Sequence, residues 1–366
     1  MRVRLEDVCE KESSKLKQSD VIDQNGLYPV YGASGYLGNI NTYQQSNYYI
    51  AVVKDGAGIG RTMLLPPESS IIGTMQYLIP KDNVLPEYLY YVVKAKHLEK
   101  YFSGATIPHI YFKDYKNEQF DLVSFEEQRV IINRLKKIEI IIDNLSKNLL
   151  LLDELVRARF VEMFGDPVTN DMLWNTDVLK DICTKIGSGS TPRGGKESYI
   201  DEGISLIRSM NVHNAYFEYK DLAHITLDQA EKLNNVVVEH DDLLFNITGA
   251  SVARCCVVPS DVLPARVNQH VCILRCREKI NPIFLQELLV NENCQGKLLQ
   301  IAKSGATREA INKQQLESLE IMLPPLELQN QFASFVEEID KSRSRIQKSL
   351  EASQELFDSL MQEYFG

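Results

Sequence analysis

The sequence contains no long uninterrupted apolar run. Its most apolar stretch, residues 138–152, is broken by Glu139, Asp143 and Lys147, so this stretch is unsuited to crossing a membrane. The opening residues MRVRLEDVCEKESSK lack the apolar core of a signal peptide. We therefore expect a cytoplasmic protein without a membrane partner.

Metal-binding and nucleotide-binding patterns are also missing. The 7 cysteines include one i, i+4 pair, Cys272 and Cys276, but no second pair at zinc spacing, and the 6 histidines are scattered. No Walker A sequence occurs, and GAGIG at residues 56–60 is an incomplete dinucleotide loop that leads into another strand. We expect free thiols, no metal site and no cofactor bound by this chain.

Positive charge is not in excess. The chain has 40 basic and 50 acidic side chains, which gives a formal net charge of −10. Such a balance argues against a protein that coats nucleic acid over its whole surface. The acidic excess is spread along the sequence, so a local basic face remains compatible with it.

The most regular feature present is a heptad pattern between residues 125 and 165. Its apolar residues alternate between gaps of four and three, which is the a/d spacing of a coiled coil. Ser124 and Glu127 match a capping box, and Gly165 followed by Pro167 supplies the stop. At ~1.5 Å per residue this helix would be roughly 60 Å long. The seam positions are Ile131, Leu135, Ile138, Ile142, Leu145, Leu149, Leu152 and Val156.

The second half of the chain repeats the first. An offset of 201 residues carries Gln128 to Gln329 and continues without a gap to the Phe-Gly endings of both copies. The globular parts drift from an offset of 174 to 201, and NITGASVAR (246–254) aligns with KDGAGIGR (54–61) at 193. The chain is therefore a tandem duplication, and the second helix supplies a partner for the first. Its seam positions are Phe332, Val336, Ile339, Ile346, Leu350 and Phe357.

Two details of the helix pair have more than one interpretation. Arg343 takes the seam position that Ile142 holds in the first copy, and it either fixes the register or lies at the seam edge with its head in water. Apolar residues also occur outside the seam, and two helices cannot cover them all. We expect these residues to be exposed and to mark an interface: Ile132, Ile140, Ile141, Leu150 and Leu151.

These patterns predict an α+β fold with two pseudo-symmetric αβ domains separated by a long antiparallel two-helix coiled coil. The expected segments are a first domain at 1–122, a helix at 123–165, a second domain at 166–323 and a helix at 324–366. Strands are expected near 48–53, 63–65 and 71–80, and a helix that begins at Pro86 is expected to reach residue 102.

One motif suggests catalysis but has a simpler explanation. Asn281-Pro-Ile-Phe284 resembles the Asn-Pro-Pro-Phe/Tyr motif with which amino-methyltransferases hold the target amine. Its duplicate, Leu85-Pro-Glu-Tyr88, lacks the asparagine, and a proline at the first helical position accounts for both copies. We expect no catalytic residues in this chain.

Two variable αβ regions alternating with two similar helices resemble the specificity subunit of type I restriction–modification systems. The motifs that carry the resemblance are YPVYGASGYLG, GSGSTP, SGAT before each helix, LPPLELQ and the Phe-Gly endings. The resemblance implies a non-catalytic prokaryotic subunit that reads a bipartite site in double-stranded DNA, one half per domain. It also implies two methyltransferase subunits on the helices and, through the complex, restriction subunits. S-adenosylmethionine, ATP and magnesium would belong to those partners.

Polar and basic side chains near strand ends are the candidates for DNA contact, because loops on a rigid scaffold can vary their base-reading groups. For each of them an ordinary surface role is the alternative. The first region offers Ser34, Tyr36, Lys54, Arg61, Gln76 and His109. The second region offers Ser188, Thr191, Arg193, Lys196, Arg208, Asn211, Arg254, Arg266, Asn268, Gln269, His270, Lys303 and Arg308.

Two other functions stay open at this point. One is a system that methylates DNA without restricting it, since the nuclease and motor would be separate polypeptides. The other is a coiled-coil scaffold that binds protein partners and reads no DNA.

Overall fold

The computed structural model describes residues 1–22, 25–104, 108–192, 194–303 and 309–366, and only the backbone of Lys196. The chain divides into two compact units, Met1–Lys147 with Ile346–Gly366, and Asn148–Arg345. Each unit contains one region of mixed helix and sheet together with a segment of each of the two long helices. The predicted α+β class is confirmed.

The first region is built on an antiparallel four-stranded sheet in the order β2-β8-β5-β6. A second sheet, β4-β3-β7, and a pair, β1-β9, complete it. Its strands are β1 (Arg2–Arg4), β2 (Cys9–Ser13), β3 (Tyr28–Gly32), β4 (Gly35–Ile40), β5 (Tyr49–Val53), β6 (Thr62–Leu65), β7 (Ser70–Ile71), β8 (Met75–Pro80) and β9 (Gln119–Asp121). Its helices are α1 (Leu5–Val8), α2 (Pro86–Ala95) and α3 (Phe112–Tyr115), followed by the long helix α4 (Phe125–Phe164).

The second region has a matching antiparallel sheet in the order β11-β20-β17-β18. It adds the sheet β15-β12-β19-β16 and the pairs β10-β21 and β13-β14. Its strands are β10 (Thr176–Val178), β11 (Cys183–Ser188), β12 (Ile204–Ile207), β13 (Val212–His213), β14 (Tyr216–Phe217), β15 (Ala223–Ile225), β16 (Val237–Val238), β17 (Leu243–Asn246), β18 (Cys255–Val257), β19 (Ala265–Val267), β20 (Val271–Cys276) and β21 (Glu320–Met322). Its helices are α5 (Leu179–Ile182), α6 (Leu227–Glu231), α7 (Pro282–Val290), α8 (Glu292–Lys303) and α9 (Lys313–Glu317), followed by the long helix α10 (Leu326–Phe365).

The duplication extends to single backbone contacts. An isolated bridge joins Asp55 to His109 in the first region, and another joins Thr248 to Ala310 in the second. These pairs are related by the offsets 193 and 201 that align the two copies. The two regions are therefore copies of one fold, as the sequence predicts.

The copies differ most in one connection. In the first region β3 and β4 are antiparallel partners joined by residues 33–34 alone. Their counterparts in sheet order, β12 and β15, are joined by residues 208–222, and this longer connection contains the β13-β14 hairpin. We call residues 31–36 the first tip and residues 212–217 the second tip.

Within each unit the two long helices run antiparallel. In the first unit the Arg134 guanidinium donates to the Tyr364 hydroxyl at 2.9 Å, while Glu139 and Phe357 both contact Tyr91. In the second unit the rings of Phe160 and Phe164 pack around Phe332, while Asp153 pairs with Arg343 further along both helices. Residues of increasing number in α4 thus lie beside residues of decreasing number in α10, so the helices are antiparallel as expected.

The seam is buried where a globular region covers it and half-buried elsewhere. The buried seam positions are Leu135, Val156, Phe332, Val336 and Phe357. The half-buried ones are Ile131, Ile138, Ile142, Leu145, Leu149, Leu152, Ile339, Ile346 and Leu350. The exposure predicted for Ile132 is wrong: this side chain joins the core of the first region, which covers a helix face that the partner helix leaves free.

Local signals at the helix ends behave as predicted. The Ser124 backbone N–H donates to the Glu127 carboxylate at 3.0 Å, and α4 ends before Gly165, whose φ is +74°. The helix that begins at Pro86 is shorter than expected, because His97 adopts a left-handed φ of +48° and a 3-10 turn (Leu98–Tyr101) follows. Among the described residues, no helix is long and apolar enough to cross a membrane.

Candidate nucleic-acid interface

The loop between β5 and β6 holds an ion cluster in the first region. The Lys54 ammonium lies 2.5 Å from one oxygen of Asp55, and the other oxygen lies 2.7 Å from Nδ1 of His109. Burial acts to raise the pKa of Asp55, but the hydrogen bonds from Lys54 and His109 outweigh it and lower that pKa below its usual value. The carboxylate therefore stays ionised and fixes two side chains from the predicted DNA-contact set.

The first tip brings together three more predicted residues. Arg61 donates from Nη1 to the carbonyl oxygen of Ala33 at 2.8 Å, which anchors the turn. Ser34 lies exposed in that turn, and Tyr36 is 62% exposed with its hydroxyl bonded to Asn39 at 3.1 Å. This tip therefore presents an exposed hydroxyl and an exposed aromatic ring.

A groove of about 610 Å³ forms the corresponding surface in the second region. Thr248 and His270 meet on its wall, with Thr248 Oγ1 lying 2.6 Å from His270 Nδ1. Gln269 Nε2 lies 3.1 Å from His270 Nε2. The Thr191 hydroxyl donates to the Gln269 side chain, and Arg254 lines the same groove. Four predicted residues therefore meet at one polar surface.

Several predicted residues lie in structural positions instead. Gln76 is buried and its amide bonds to the Tyr115 hydroxyl, because its strand register turns it inward. Asn211 is fully buried and donates to the Glu218 carbonyl, and Asn268 is buried and accepts from the His270 backbone N–H. As folded, none of these three side chains can reach a base edge.

Two arginines are largely occupied by backbone oxygens. Arg266 donates to the carbonyls of Ala230 and Ala265 and to the Asn234 side chain. Arg208 donates to the Asp221 carbonyl and lies over the Tyr199 ring, 5.5 Å from its centroid. Their guanidinium groups are positioned as supports for neighbouring loops.

The remaining predicted residues are less informative. Ser188 is exposed at the end of β11, and Lys303 is exposed at the end of α8, 4.0 Å from Glu309. Lys196 lies in a short 3-10 helix, Gly195–Ser198. Arg193, Arg308 and most of the two SGAT loops lie outside the described residues.

Three groups on this surface were not predicted from the sequence. His213 and Thr248 line the groove, and Tyr216 is 54% exposed on the second tip. Asn214-Ala215 lies between His213 and Tyr216, and this turn-like pair flanked by two rings is the signal that could have identified the tip. Thr248 lies within the aligned loop NITGASVAR, where its polar side chain was the available signal.

The structure explains Asn281 without catalysis. Its side-chain oxygen accepts hydrogen bonds from the backbone N–H groups of Ile283 at 2.9 Å and Phe284 at 3.3 Å. This is an N-cap on α7, with Pro282 at the first helical position as predicted. All seven cysteines are free, and no cluster of three or more metal-ligating side chains occurs in the described ranges.

The long helix α4 leaves apolar side chains in contact with solvent. Ile140 and Ile141 are exposed in the first unit, and Leu150 and Leu151 are exposed in the second. These four confirm the expected exposure outside the seam, and adjacent exposed apolar residues of this kind mark interaction surfaces.

Comparisons with known proteins give a consistent result. The family model described as "Type I restriction modification DNA specificity domain" matches residues 1–151 and 172–354. The type I restriction enzyme MjaIX specificity subunit of Methanocaldococcus jannaschii is 25% identical over 78% of this chain and 69% of its own length. The putative type I restriction enzyme MjaX specificity subunit of the same organism is 24% identical over 52% of this chain and 45% of its own length.

Two solved structures share the fold. The S subunit of a type I restriction-modification system from M. genitalium has a TM-score of 0.67 at 14% identity, over 100% of this chain and 96% of that one. A chain solved in work on complex assembly and conformational transition of the type I R-M system has a TM-score of 0.57 at 16% identity, over 100% and 97%.

Proposed function

The chain belongs to the type I restriction–modification DNA specificity family, and from this premise we propose that each of its two αβ regions reads one half of a bipartite site in double-stranded DNA. One observation carries the proposal. The two copies share the strand order of their four-stranded antiparallel sheet, but they carry different polar groups. Asp55, which pairs with Lys54 and His109 in the first region, aligns with Thr248, which lies 2.6 Å from His270 in the second. Two copies of one scaffold with different hydrogen-bonding groups are suited to reading two different half-sites.

The proposed contacts fall into two classes. Lys54 supplies a cationic group at the end of β5, which suits phosphate oxygens and the acceptor edge of guanine. Thr191, Gln269 and His270 supply side-chain hydrogen-bonding groups at the groove of the second region. Groups of this kind can discriminate bases, while phosphate contacts set the position of the protein on the duplex.

The chain itself would be non-catalytic within a larger complex. We propose that α4 and α10 carry two methyltransferase subunits and, through the complex, restriction subunits in a prokaryotic cytoplasm. S-adenosylmethionine, ATP and magnesium would then be bound by those subunits. Support comes from the N-cap role of Asn281, which accounts for the one methyltransferase-like motif, and from the exposed apolar residues of α4. Transfer of a labelled methyl group to DNA by the purified chain alone would contradict this part.

Salt-dependent DNA binding by the complex with its methyltransferase tests the DNA-reading function. Cognate duplex should bind at least about a thousandfold more tightly than a scrambled duplex of equal length at physiological salt. Affinity for both duplexes should fall linearly on a logarithmic scale with salt, because phosphate neutralisation releases counterions. Equal affinity for the two duplexes would favour a protein scaffold without DNA readout.

A further inference from the structure

The duplicated arginines Arg61 and Arg254 make an equivalent contact in the two regions. Arg61 Nη1 donates to the Ala33 carbonyl at 2.8 Å, and Arg254 Nη1 approaches His213 Nδ1 at 3.4 Å. Both contacts reach the connection between corresponding antiparallel strands, β3-β4 and β12-β15. A second link ties the second tip to the sheet edge, because the Ala215 backbone N–H donates to the Cys255 carbonyl at 2.9 Å. One residue type therefore anchors both tips, although the strand connections at 33–34 and 208–222 differ in length.

Each tip carries a cross-strand pair of rings with the outer ring exposed. Tyr31 and Tyr36 are register partners with ring centroids 6.2 Å apart in an edge-to-face arrangement. His213 and Tyr216 are register partners with centroids 4.6 Å apart and planes at 14°. In both tips the inner ring is half-buried and contacts the outer ring, which restricts the outer ring before any ligand binds. A pre-ordered side chain loses less entropy on binding.

We propose that the two tips are β-ribbons that enter DNA grooves and determine the two half-sites, with Tyr36 and Tyr216 as base-contacting residues and Arg61 and Arg254 as positioning residues. The major groove admits a two-stranded ribbon, and its base edges offer hydrogen bonds and the thymine methyl group. The inference rests on the proposed DNA-reading function and deepens it. It adds Tyr216 as a base-contacting residue. It also assigns Arg61 and Arg254 the role of holding the tips in position.

The turn residues give the tips different chemistry. Ser34 lies in the first turn and Asn214 in the second, and both are exposed. Asparagine can pair with adenine through N6 and N7, whereas an aspartate at the same place would accept from cytosine N4 instead. The second half-site should therefore contain an adenine that depends on Asn214.

The test uses the full chain in complex with its methyltransferase and measures methylation of a randomised site library. Tyr36→Ala should reduce discrimination at one half-site by roughly tenfold or more, and Tyr216→Ala should do the same only at the other. Asn214→Asp should reduce the preference for one adenine in the same half as Tyr216→Ala. Tyr48→Ala and Leu227→Ala serve as matched controls, since both side chains are exposed outside the tips, and they should leave both halves unchanged.

The positioning role has a separate readout. Arg254→Ala should alter the same base positions as Tyr216→Ala, and the double variant should match the Tyr216→Ala variant, since both changes act through one tip. A uniform loss of affinity for all sequences, with a shallower salt dependence, would instead identify Arg254 as a phosphate contact and overturn its positioning role.

The failure of the inference differs from the failure of the proposed function. One outcome is a wild-type complex that methylates a bipartite site while Tyr36→Ala and Tyr216→Ala leave its base preference and thermal stability unchanged. That result overturns the proposal that the tips read the bases. A wild-type complex with no sequence preference overturns the proposed function and the inference with it.

Discussion

Gln128 and Gln329, 201 residues apart, make the same three hydrogen bonds in the two copies of the fold. Gln128 Oε1 accepts from the Leu85 backbone N–H at 2.9 Å, and Gln329 Oε1 accepts from that of Asn281 at 2.9 Å. Their amide groups donate to the carbonyls of Val123 and Pro324 at 3.0 and 2.8 Å, and to those of Asn83 and Lys279 at 3.5 Å. Both side chains are buried, so each joins the start of a long helix to its own globular region.

Replacing either glutamine should weaken the unit that contains it. Gln128→Ala or Gln329→Ala leaves a backbone N–H and two carbonyls without their buried partner, which costs roughly 1–3 kcal/mol of unfolding free energy. Urea denaturation measures the loss, and Gln331→Ala on the exposed face of α10 is the control. Unfolding of Gln329→Ala at the same urea concentration as the wild type would show that the junction is not stabilising.

Local and periodic features of this fold are readable from the sequence. The a/d pattern, the Ser124–Glu127 capping box and the equivalence of Gln128 with Gln329 depend on spacing alone, so they were predicted correctly. The burial of Gln76 depends on pairing with strands elsewhere in the sheet and on Tyr115, 39 residues away. The exposure predicted for Ile132 is wrong for a related reason, since the globular region covers it instead of the partner helix.

The candidate interface was only partly predictable. Residue type and position at strand ends predict Arg254, Gln269 and His270 as polar contact residues. Arg254 and His270 line one groove, and Gln269 contacts His270. His213 lies 41 residues from Arg254 in sequence, and only the folded second tip brings them together. A sequence shows which side-chain groups are present, but it does not show how they pack. Packing buries Asn211 as a structural residue and leaves His213 at the surface.

Glu287 should make the second unit sensitive to pH. Burial raises its pKa to about 7 from an ordinary value of 4.5, and the carboxylates of Asp340 and Asp153 add to the shift while Gln286 and Arg343 oppose it. As pH rises from 4.5 to 7, the unfolded chain releases this proton first, so stability falls and then levels off at about 3 kcal/mol below its acid value. In the first copy the corresponding residue is Tyr91, whose hydroxyl donates to Glu139 at 2.7 Å.

Glu287→Gln should remove this loss. Its stability relative to the wild type should increase by about 2–3 kcal/mol between pH 5 and pH 8, as measured by urea unfolding at both values. Glu278→Gln, an exposed neighbour in sequence, should show no such change. An equal difference between Glu287→Gln and the wild type at both pH values would contradict a buried, protonated Glu287.

Substitutions that introduce a charge on the exposed face of α4 should prevent assembly with the methyltransferase. Ile141→Glu and Leu151→Glu place a charge where an interface would bury an apolar side chain, but they keep the seam intact because neither is a seam position. Co-purification should fall at least about tenfold while thermal stability of the chain is retained. Glu126→Lys, an exposed change in the first turn of the same helix and away from both apolar pairs, is the control. Full retention of the partner by both glutamate variants would place the interface elsewhere.

Shortening both long helices should shorten the gap between the half-sites. Removing one heptad from each helix keeps the seam in phase and removes ~10.5 Å of helix, which corresponds to roughly three base pairs at ~3.4 Å each. The change also rotates one half-site by nearly a third of a turn, so reduced activity is expected. An active variant with an unchanged gap would rule out the helices as spacers.

If one chain reads two half-sites with two copies of one fold, the positions of the methylated bases should show it. DNA from cells that express this chain with its methyltransferase should carry a single bipartite motif, in which two specific halves flank a fixed gap of unspecified bases. Replacing residues 179–319 with the corresponding domain of a relative should change only one half. A continuous motif, or a replacement that alters both halves, would contradict separate readout of one half-site by each αβ region.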